Sequence, residues 1–328
     1  MKKVCVIGDG GWGTALALLL HKKGIDTVLW SAFPEYAEFL DKKRENVKFL
    51  EGVPLPKDLM ITADTTVASQ AHTAVFVVPC KFLRIVADGF ANNKFKNILS
   101  ATKGIENGSL KRPSEILEEY FTTAQIGVLS GPSISVEVVE ELPTTVVVAS
   151  KNGCKDDAQE LFSTDRFRVY TSEDVLGVEL GGALKNVIAI AAGVADGMGF
   201  GTNAKAALLT RGLAEITRLG VKMGADSVTF SGLSGMGDLA TTCISAHSRN
   251  RWFGEQIGKG RVIEEILGGT EKVVEGLSTC KSAHDLAVKY DVEMPIVHKV
   301  YEVIYGGKDP KQAVYELMTR NPKSELWE

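Results

Sequence analysis

Val4 to Leu18 reads VCVIGDGGWGTALAL and sets Gly8, Gly10 and Gly13 in a G-x-G-x-x-G frame, directly after an apolar strand and directly before an apolar helix. In that context each glycine has a separate task. The first permits the tight turn, the second lets backbone amides approach a pyrophosphate, and the third allows close packing of helix on strand, with the positive helix end facing the anion. A second strand, Asp26 to Trp30 (DTVLW), follows at the spacing of a βαβ unit. The frame and its flanks point to dinucleotide binding; a glycine turn without a ligand is the plainer alternative.

Outward from this unit, short β-branched runs alternate with helical stretches as far as about Thr171: VCVIG, TVLW, TAVFVVP, NILSAT, IGVLSG, TTVVVAS and FRVYTS. The alternation predicts a doubly wound, mostly parallel sheet. Beyond about Glu173 the strand signals stop. Helices are expected from Val175 to Val194, Lys205 to Met223, Arg249 to Ile257, Val262 to Leu267, Gly276 to Tyr290, Pro295 to Ile304 and Pro310 to Met318. The expected organisation is therefore α/β followed by all-α, with residues 1–172 binding a dinucleotide and residues 173–328 forming a helical substrate-binding domain. No Pro-rich linker, repeat or low-complexity tract separates the two, so they are expected to meet closely around a ligand cleft.

The 328 residues are enough for two domains, and 45% hydrophobic with 24% charged is a globular composition. A net charge of -4 with scattered lysines and arginines offers no basic surface for nucleic acid; a phosphate-bearing small molecule would need a local pocket of cations. Cys5, Cys80, Cys154, Cys243 and Cys280 are odd in number, widely spaced and lack C-x-x-C. They are expected to be reduced thiols in a cytoplasmic protein rather than a disulfide framework or zinc site. The opening MKK and apolar run have the outline of a signal peptide, but Asp9 and the glycines from Gly8 to Gly13 interrupt it. The next most apolar run, Val187 to Ala195, falls far short of the about 20 residues of a membrane span, so none is expected. His21, His72, His247, His284 and His298 show no ligand spacing and no acidic pair forms a metal site, so no metal is expected.

Ser31-Ala32-Phe33-Pro34-Glu35 follows TVLW, where NAD sites usually carry Asp or Glu and NADP sites Arg. Neither stands at the strand end. With no cation for a 2′-phosphate the reading leans to NAD, and NADP stays open. SATKGI (Ser100 to Ile105) puts Lys103 at a strand's carboxyl end, where open α/β sheets bind ligands; a surface lysine is the alternative. Ser130-Gly131-Pro132-Ser133 ends another strand and either offers amides and a hydroxyl to a substrate or caps a helix from Ser135.

In GALKNVIAIAAGV (Gly182 to Val194), Lys185 and Asn186 are the only polar side chains, and the neighbours one turn from Lys185 are Gly181 and Ala189, not carboxylates. Burial there would lower the lysine's pKa into a range useful for proton transfer; snorkelling out to water is an equal alternative. Ser234-Gly235-Met236-Gly237-Asp238 leads to Thr241 and Thr242, and His247-Ser248-Arg249-Asn250-Arg251 follows. Ser248, Arg249 and Asn250 at a helix start make a phosphate cradle in which guanidinium fork and helix dipole act together, or else a solvated helix end. Asp238 orients Lys185, holds a substrate hydroxyl, or caps a helix.

Taken together, these residues resemble the NAD(P)-dependent glycerol-3-phosphate dehydrogenases, in particular the bacterial form of phospholipid synthesis. The matching segments run nearly end to end: GDGGWGTA (Gly8 to Ala15), VFVVP (Val75 to Pro79), SATKGIE (Ser100 to Glu106), SGPS (Ser130 to Ser133), ELGGALKNVIAIAAG (Glu179 to Gly193), GLSGMGDLATTC (Gly232 to Cys243), SRNRWFG (Ser248 to Gly254) and VVEG (Val273 to Gly276). The resemblance implies a Rossmann-type sheet domain, a helical domain of the 6-phosphogluconate dehydrogenase-like kind, and a homodimer. It implies interconversion of dihydroxyacetone phosphate and sn-glycerol 3-phosphate by hydride transfer with NAD(P)H. Lys185 would then be proton donor and acceptor at the substrate's second carbon, and Lys103, Gly131, Ser133, Asp238, Ser248, Arg249 and Asn250 would join it in binding the three-carbon phosphate. Gly11, Trp12, Lys103, Ser135, Arg249, Val273 and Glu275 would touch the dinucleotide beside Gly8, Gly10 and Gly13.

The chain departs from the family at Gly11, where serine is usual, at Ser135, where alanine is usual, and at Ala32-Phe33, where basic residues often flank the adenosine ribose. A dehydrogenase of the 6-phosphogluconate or 3-hydroxyacid type also uses a helix-borne lysine followed by asparagine, but the SRN cluster and GMGDLATTC speak against it. A dinucleotide sensor without turnover accounts for the glycine loop and not for the lysine joined to a phosphate cradle.

Overall fold

The computed structural model describes residues 3–151, 153–270, 273–322 and 324–325. Val4–Ile7 forms β1, with Val4 and Val6 in one apolar layer and Cys5 and Ile7 in the other. The two-residue period of a strand sorts the side chains this way, and burial on both faces is what a central strand of a parallel sheet requires. β2 (Thr27–Trp30), β3 (Glu45–Asn46), β4 (Leu50–Pro54), β5 (Met60–Thr62), β6 (Thr73–Phe76), β7 (Asn97–Ser100), β8 (Gln125–Ser130), β9 (Thr144–Ala149) and β10 (Phe167–Ser172) follow. The main sheet runs β10-β9-β8-β7-β6-β1-β2-β5, parallel throughout except where β8 meets β9. The doubly wound sheet is present, with β2 and β5 on one side of β1 and β6, β7 and β8 on the other. The order reverses between β1 and β6, and open α/β sheets bind ligands at the carboxyl ends of strands at such a point.

Three strands lie outside the sequence expectation. β5 is a three-residue edge strand without an apolar run, held by parallel pairing to β2. β3 and β4 form a separate antiparallel ribbon in which Glu51, Gly52 and Pro54 are exposed, so no alternating apolar pattern marks it.

In the C-terminal domain the helix Val175–Gly197 is the axis. Asp174 starts it by accepting a hydrogen bond from the Gly177 N–H at 2.9 Å. Leu180, Leu184, Val187 and Ile188 are fully buried, and a helix enclosed on every side is apolar all round. By length and composition alone this helix is apolar enough to cross a membrane, which the uninterrupted run Val187 to Ala195 did not anticipate; 83% of its most apolar window is buried inside the protein, as in a core helix. Thr202–Met223, Arg249–Gly258, Glu275–Tyr290 and Pro295–Tyr305 pack around it, close to their expected limits. Glu179 ties the axis to the sheet domain, accepting from the Ser114 N–H at 2.8 Å and Ser114 Oγ at 2.7 Å and pairing with Arg112.

Where the helix Arg249–Gly258 crosses the axis, backbone touches backbone. A Cβ added at Gly193 would lie 1.9 Å from the Arg251 carbonyl oxygen, one at Gly254 2.0 Å from that of Ile190, and one at Gly258 2.3 Å from that of Val194. A short helix the sequence reading did not mark, Asp238–Ile244, follows a wide π-helical turn at Leu233–Gly237. Single π turns are often found at functional sites.

Candidate active site

At the end of β1 the three glycines divide their tasks as the motif requires. Gly8 has φ +125°, and a Cβ there would lie 2.7 Å from the Val77 carbonyl oxygen, just past β6. At Gly10 nothing lies within 4 Å of a Cβ position, while at Gly13 a Cβ would lie 1.9 Å from the Gly8 oxygen. The helix Gly11–Lys22 begins here, and its ladder opens with Thr14 N–H donating to the Gly10 oxygen at 2.9 Å. The N–H groups of Gly11, Trp12 and Gly13 thus have no intrahelical acceptor. These residues fit a dinucleotide pyrophosphate, because Gly10 leaves clear the space any side chain would fill and the helix end supplies donors. The Trp12 indole packs on Phe167 with ring centroids 6.5 Å apart, so Trp12 meets the turn through its backbone. The glycine at position 11 has a steric reason: a Cβ would lie 2.8 Å from the Phe49 carbonyl oxygen and 3.6 Å from Ser135 Oγ.

Lys185 does not snorkel. It is 5% exposed, and its Nζ donates to Asp238 and, at 2.7 Å, to Thr242 Oγ1. The other oxygen of Asp238 accepts from Lys103 Nζ at 2.6 Å, and Lys103 also reaches the Gly131 oxygen at 3.4 Å. One buried carboxylate therefore bridges two amino groups, and the cluster carries net positive charge while both are protonated. Burial pushes the Lys185 pKa down to about 7; the charge of Asp238 opposes the fall and that of Lys103 adds to it. Asp238 caps no helix with its side chain; its carboxylate lies against Lys185 Nζ instead.

Two glycines let the axis helix lie on these loops. A Cβ at Gly182 would sit 2.5 Å from Ser130 Oγ, and one at Gly181 2.5 Å from the Ser234 oxygen. Ser130 Oγ is buried without a hydrogen-bond partner among the described residues. Ser133 Oγ donates to the Gly131 oxygen at 3.0 Å, and Ile134, not Ser133, holds the cap position of the helix Ser135–Val139.

Ser248 caps its helix, Oγ accepting from the Arg251 N–H at 3.2 Å. Asn250 is committed at both ends: Nδ2 donates to Asn186 Oδ1 at 2.9 Å and Oδ1 accepts from the Gly276 N–H at 2.9 Å. It binds together the SRN helix, the lysine helix and the VVEG turn, which leaves its backbone N–H and one amide hydrogen uncommitted. Arg249 forms no ion pair or hydrogen bond among the described residues; burial pulls its pKa down and Glu275 pulls it up. Burial pushes the Glu275 carboxyl up to about 7, against the charges of Lys103, Arg249 and Lys185.

A cavity of about 320 Å³ opens between the domains, lined among others by Pro79, Cys80, Lys103, Val273, Glu275 and Thr279. The sequence reading gave no role to Cys80, Thr279 or Thr242. Position after β6, at the reversal of strand order, is the signal that marks Cys80; Thr242 and Thr279 carry none. A larger depression of about 780 Å³ around His284 and His298 holds no site residue.

A glycine turn at the reversal point of a doubly wound sheet, with a buried low-pKa lysine supplied by a helical domain, defines a dinucleotide-dependent oxidoreductase. Residues 3–155 match the family model described as the N-terminus, and residues 174–315 that described as the C-terminus, of NAD-dependent glycerol-3-phosphate dehydrogenase. The chain belongs to this family. The NAD(P)+ glycerol-3-phosphate dehydrogenase of Citrifermentans bemidjiense is 50% identical over 331 residues, spanning 99% of each chain. That of Lysinibacillus sphaericus is 49% identical over 333 residues, spanning 99% of this chain and 98% of its own. The crystal structure of glycerol-3-phosphate dehydrogenase from Coxiella burnetii superposes with a TM-score of 0.94 at 36% identity, covering 97% of this chain and 99% of that one.

Proposed function

We propose that this protein interconverts dihydroxyacetone phosphate and sn-glycerol 3-phosphate with NAD or NADP, supplying glycerol 3-phosphate for phospholipid synthesis. The observation that carries the reading is the Lys185–Asp238–Lys103 cluster, a buried proton-active lysine held against a carboxylate and a second ammonium, in a chain that also carries a dinucleotide turn. When bound, the reduced nicotinamide supplies a hydride to the substrate's second carbon. Lys185 Nζ stabilises the charge that develops on the C2 oxygen and donates its proton there; in reverse, neutral Nζ takes the proton. Asp238 aims Nζ, and Lys103 adds positive charge. Arg249, without a partner of its own, and the first N–H groups of its helix hold the phosphate with Ser248 and Asn250, fixing C2 at reacting distance. Gly131 and Ser133 border the substrate. Gly8, Gly10, Gly11, Trp12 and Gly13 seat the pyrophosphate, and Ser135, Val273 and Glu275 contact the rest of the dinucleotide.

In this reading residues 1–172 and 173–328 act as the two units, and the enzyme is a cytoplasmic homodimer. Five free, buried cysteines suit a reducing compartment, and exposed Val288, Tyr315 and Met318 offer apolar surface for a second copy. The test is the initial rate of absorbance loss at the reduced nicotinamide band with dihydroxyacetone phosphate, for the native enzyme and Lys185→Ala. Turnover that falls on the order of 10³-fold in the variant, with dinucleotide affinity kept, is expected. No turnover in a folded protein that binds dinucleotide would return the sensor and hydroxyacid readings.

A further inference from the structure

The position after β2 is where dinucleotide sites read the adenosine ribose, with an acid for a 2′-hydroxyl and arginine for a 2′-phosphate. Here it is Ser31, which is fully buried. Its Oγ instead donates to Asp9 Oδ2 at 2.6 Å and accepts from the Phe33 N–H at 3.2 Å. Asp9 stands inside the glycine turn, between Gly8 and Gly10, and its own backbone is pinned: the carbonyl oxygen accepts from Asn46 Nδ2 at 2.8 Å and Thr14 Oγ1 at 3.3 Å. Strand register explains how a residue of the first turn reaches the ribose position. Ile7 pairs with Trp30 in the parallel β1–β2 ladder, so Asp9 and Ala32 lie two residues beyond one paired rung, side by side at the sheet's carboxyl edge.

The second oxygen of the Asp9 carboxylate accepts from no other side chain among the described residues. Burial raises the Asp9 pKa, with the Ser31 bond and the charge of Lys48 opposing. The Lys48 ammonium lies over the Phe49 ring, 5.5 Å from its centre. Phe33, 67% exposed beside Ser31, presents an uncharged aromatic face where a 2′-phosphate would need a cation.

We propose that Asp9, braced by Ser31, accepts hydrogen bonds from the adenosine ribose hydroxyls and makes this enzyme select NAD over NADP. The proposal rests on the dinucleotide-dehydrogenase reading above. A vicinal diol donates to a carboxylate, whereas a 2′-phosphate brings a second anion of roughly -1.5 to -2 charge against it in a partly desolvated corner. The carboxylate that other sites take from the end of β2 is here supplied from the end of β1.

The experiment titrates native enzyme, Asp9→Asn and Ser31→Ala with NADH and with NADPH, following coenzyme fluorescence, and measures kcat/KM for each coenzyme with dihydroxyacetone phosphate. The native enzyme is expected to bind NADH at least about tenfold more tightly, the scale of a hydrogen bond to a charged group. Asp9→Asn, of the same shape, narrows that ratio by about tenfold, mainly by gaining NADPH affinity. Ser31→Ala keeps the charge and loses the brace, so NADH binding weakens while NADPH stays disfavoured. Equal affinities or an NADPH preference in the native enzyme, or an Asp9→Asn variant that shifts both coenzymes alike, overturns the proposal. If Asp9→Asn does not fold, the native ratio and Ser31→Ala decide. Selective binding without turnover would sink the catalytic reading and leave this one standing; turnover without selectivity would do the reverse.

Discussion

The glycine turn and the Lys185 cluster are built by opposite means. The turn is a run of neighbouring residues, Gly8 to Gly13, whose geometry comes from side chains that are absent: a Cβ at Gly8 or Gly13 would strike backbone, and one at Gly10 would enter open space. The cluster is assembled from groups that are far apart in the chain, with Asp238 joined to Lys185 across 53 residues and to Lys103 across 135. Its geometry comes from charges that must find one another once burial has removed water. The turn is therefore vulnerable to added atoms and the cluster to removed charge.

Removing the charge gives the largest effect. Asp238→Ala leaves the buried Lys185 and the half-buried Lys103 without their anion and is expected to cost about 3–5 kcal/mol in urea unfolding, with turnover falling as well. A loss under 1 kcal/mol would mean that water reaches the cluster freely. Adding atoms comes next: Gly13→Ala, facing a backbone oxygen at 1.9 Å, is expected to cost about 1–3 kcal/mol and weaken dinucleotide binding while the Lys185 cluster keeps its pKa.

How much of each region the sequence discloses follows from the same contrast. Gly8, Gly10 and Gly13 are legible because their spacing and their flanking strand and helix lie within one short segment. Lys185 is legible as an oddity, a lone cation in an apolar helix, but snorkelling and burial look alike until Asp238 is seen beside it. The Asp238 contact depends on the π turn at Leu233–Gly237, which no local pattern announces. β5 is hidden for a related reason: Met60–Thr62 is a strand only because β2 offers it a ladder. The helices of the second half were readable from apolar periodicity, since a helix carries its own hydrogen bonds and needs only a face to bury.

A pH series sharpens the cluster's side of the contrast. With Lys185 near 7, reduction of dihydroxyacetone phosphate needs the ammonium and loses rate by about tenfold per unit above that pH, while oxidation of glycerol 3-phosphate needs the neutral amine and loses rate by about tenfold per unit below it. Glu275 titrates in the same window, so Glu275→Gln should leave a single limb; profiles of the same slope in both directions would rule out Lys185 as the proton carrier. The stability term has its own sign. The Lys185 pKa is lower folded than unfolded, so between about 7 and the ordinary lysine value of 10.5 the unfolded chain holds more protons and stability rises with pH. Gly10→Ala gives the smallest folding effect, within about 0.5 kcal/mol because its Cβ meets nothing, yet it should weaken dinucleotide binding more than substrate binding.

The bare crossing of the helices Val175–Gly197 and Arg249–Gly258 bears on how this protein can drift over generations. One helix carries Lys185, the other begins at Arg249, and their separation sets the span between these two residues, proton carrier and phosphate holder in the proposed function. With Gly193, Gly254 and Gly258 already against opposing carbonyl oxygens, that span stands at its steric floor. It cannot shrink, and it cannot widen gradually, since even one methyl group at any of the three positions forces the backbones apart. Point mutations can retune how tightly a substrate is held, but a lineage that needed a longer one would have to change both helices at once.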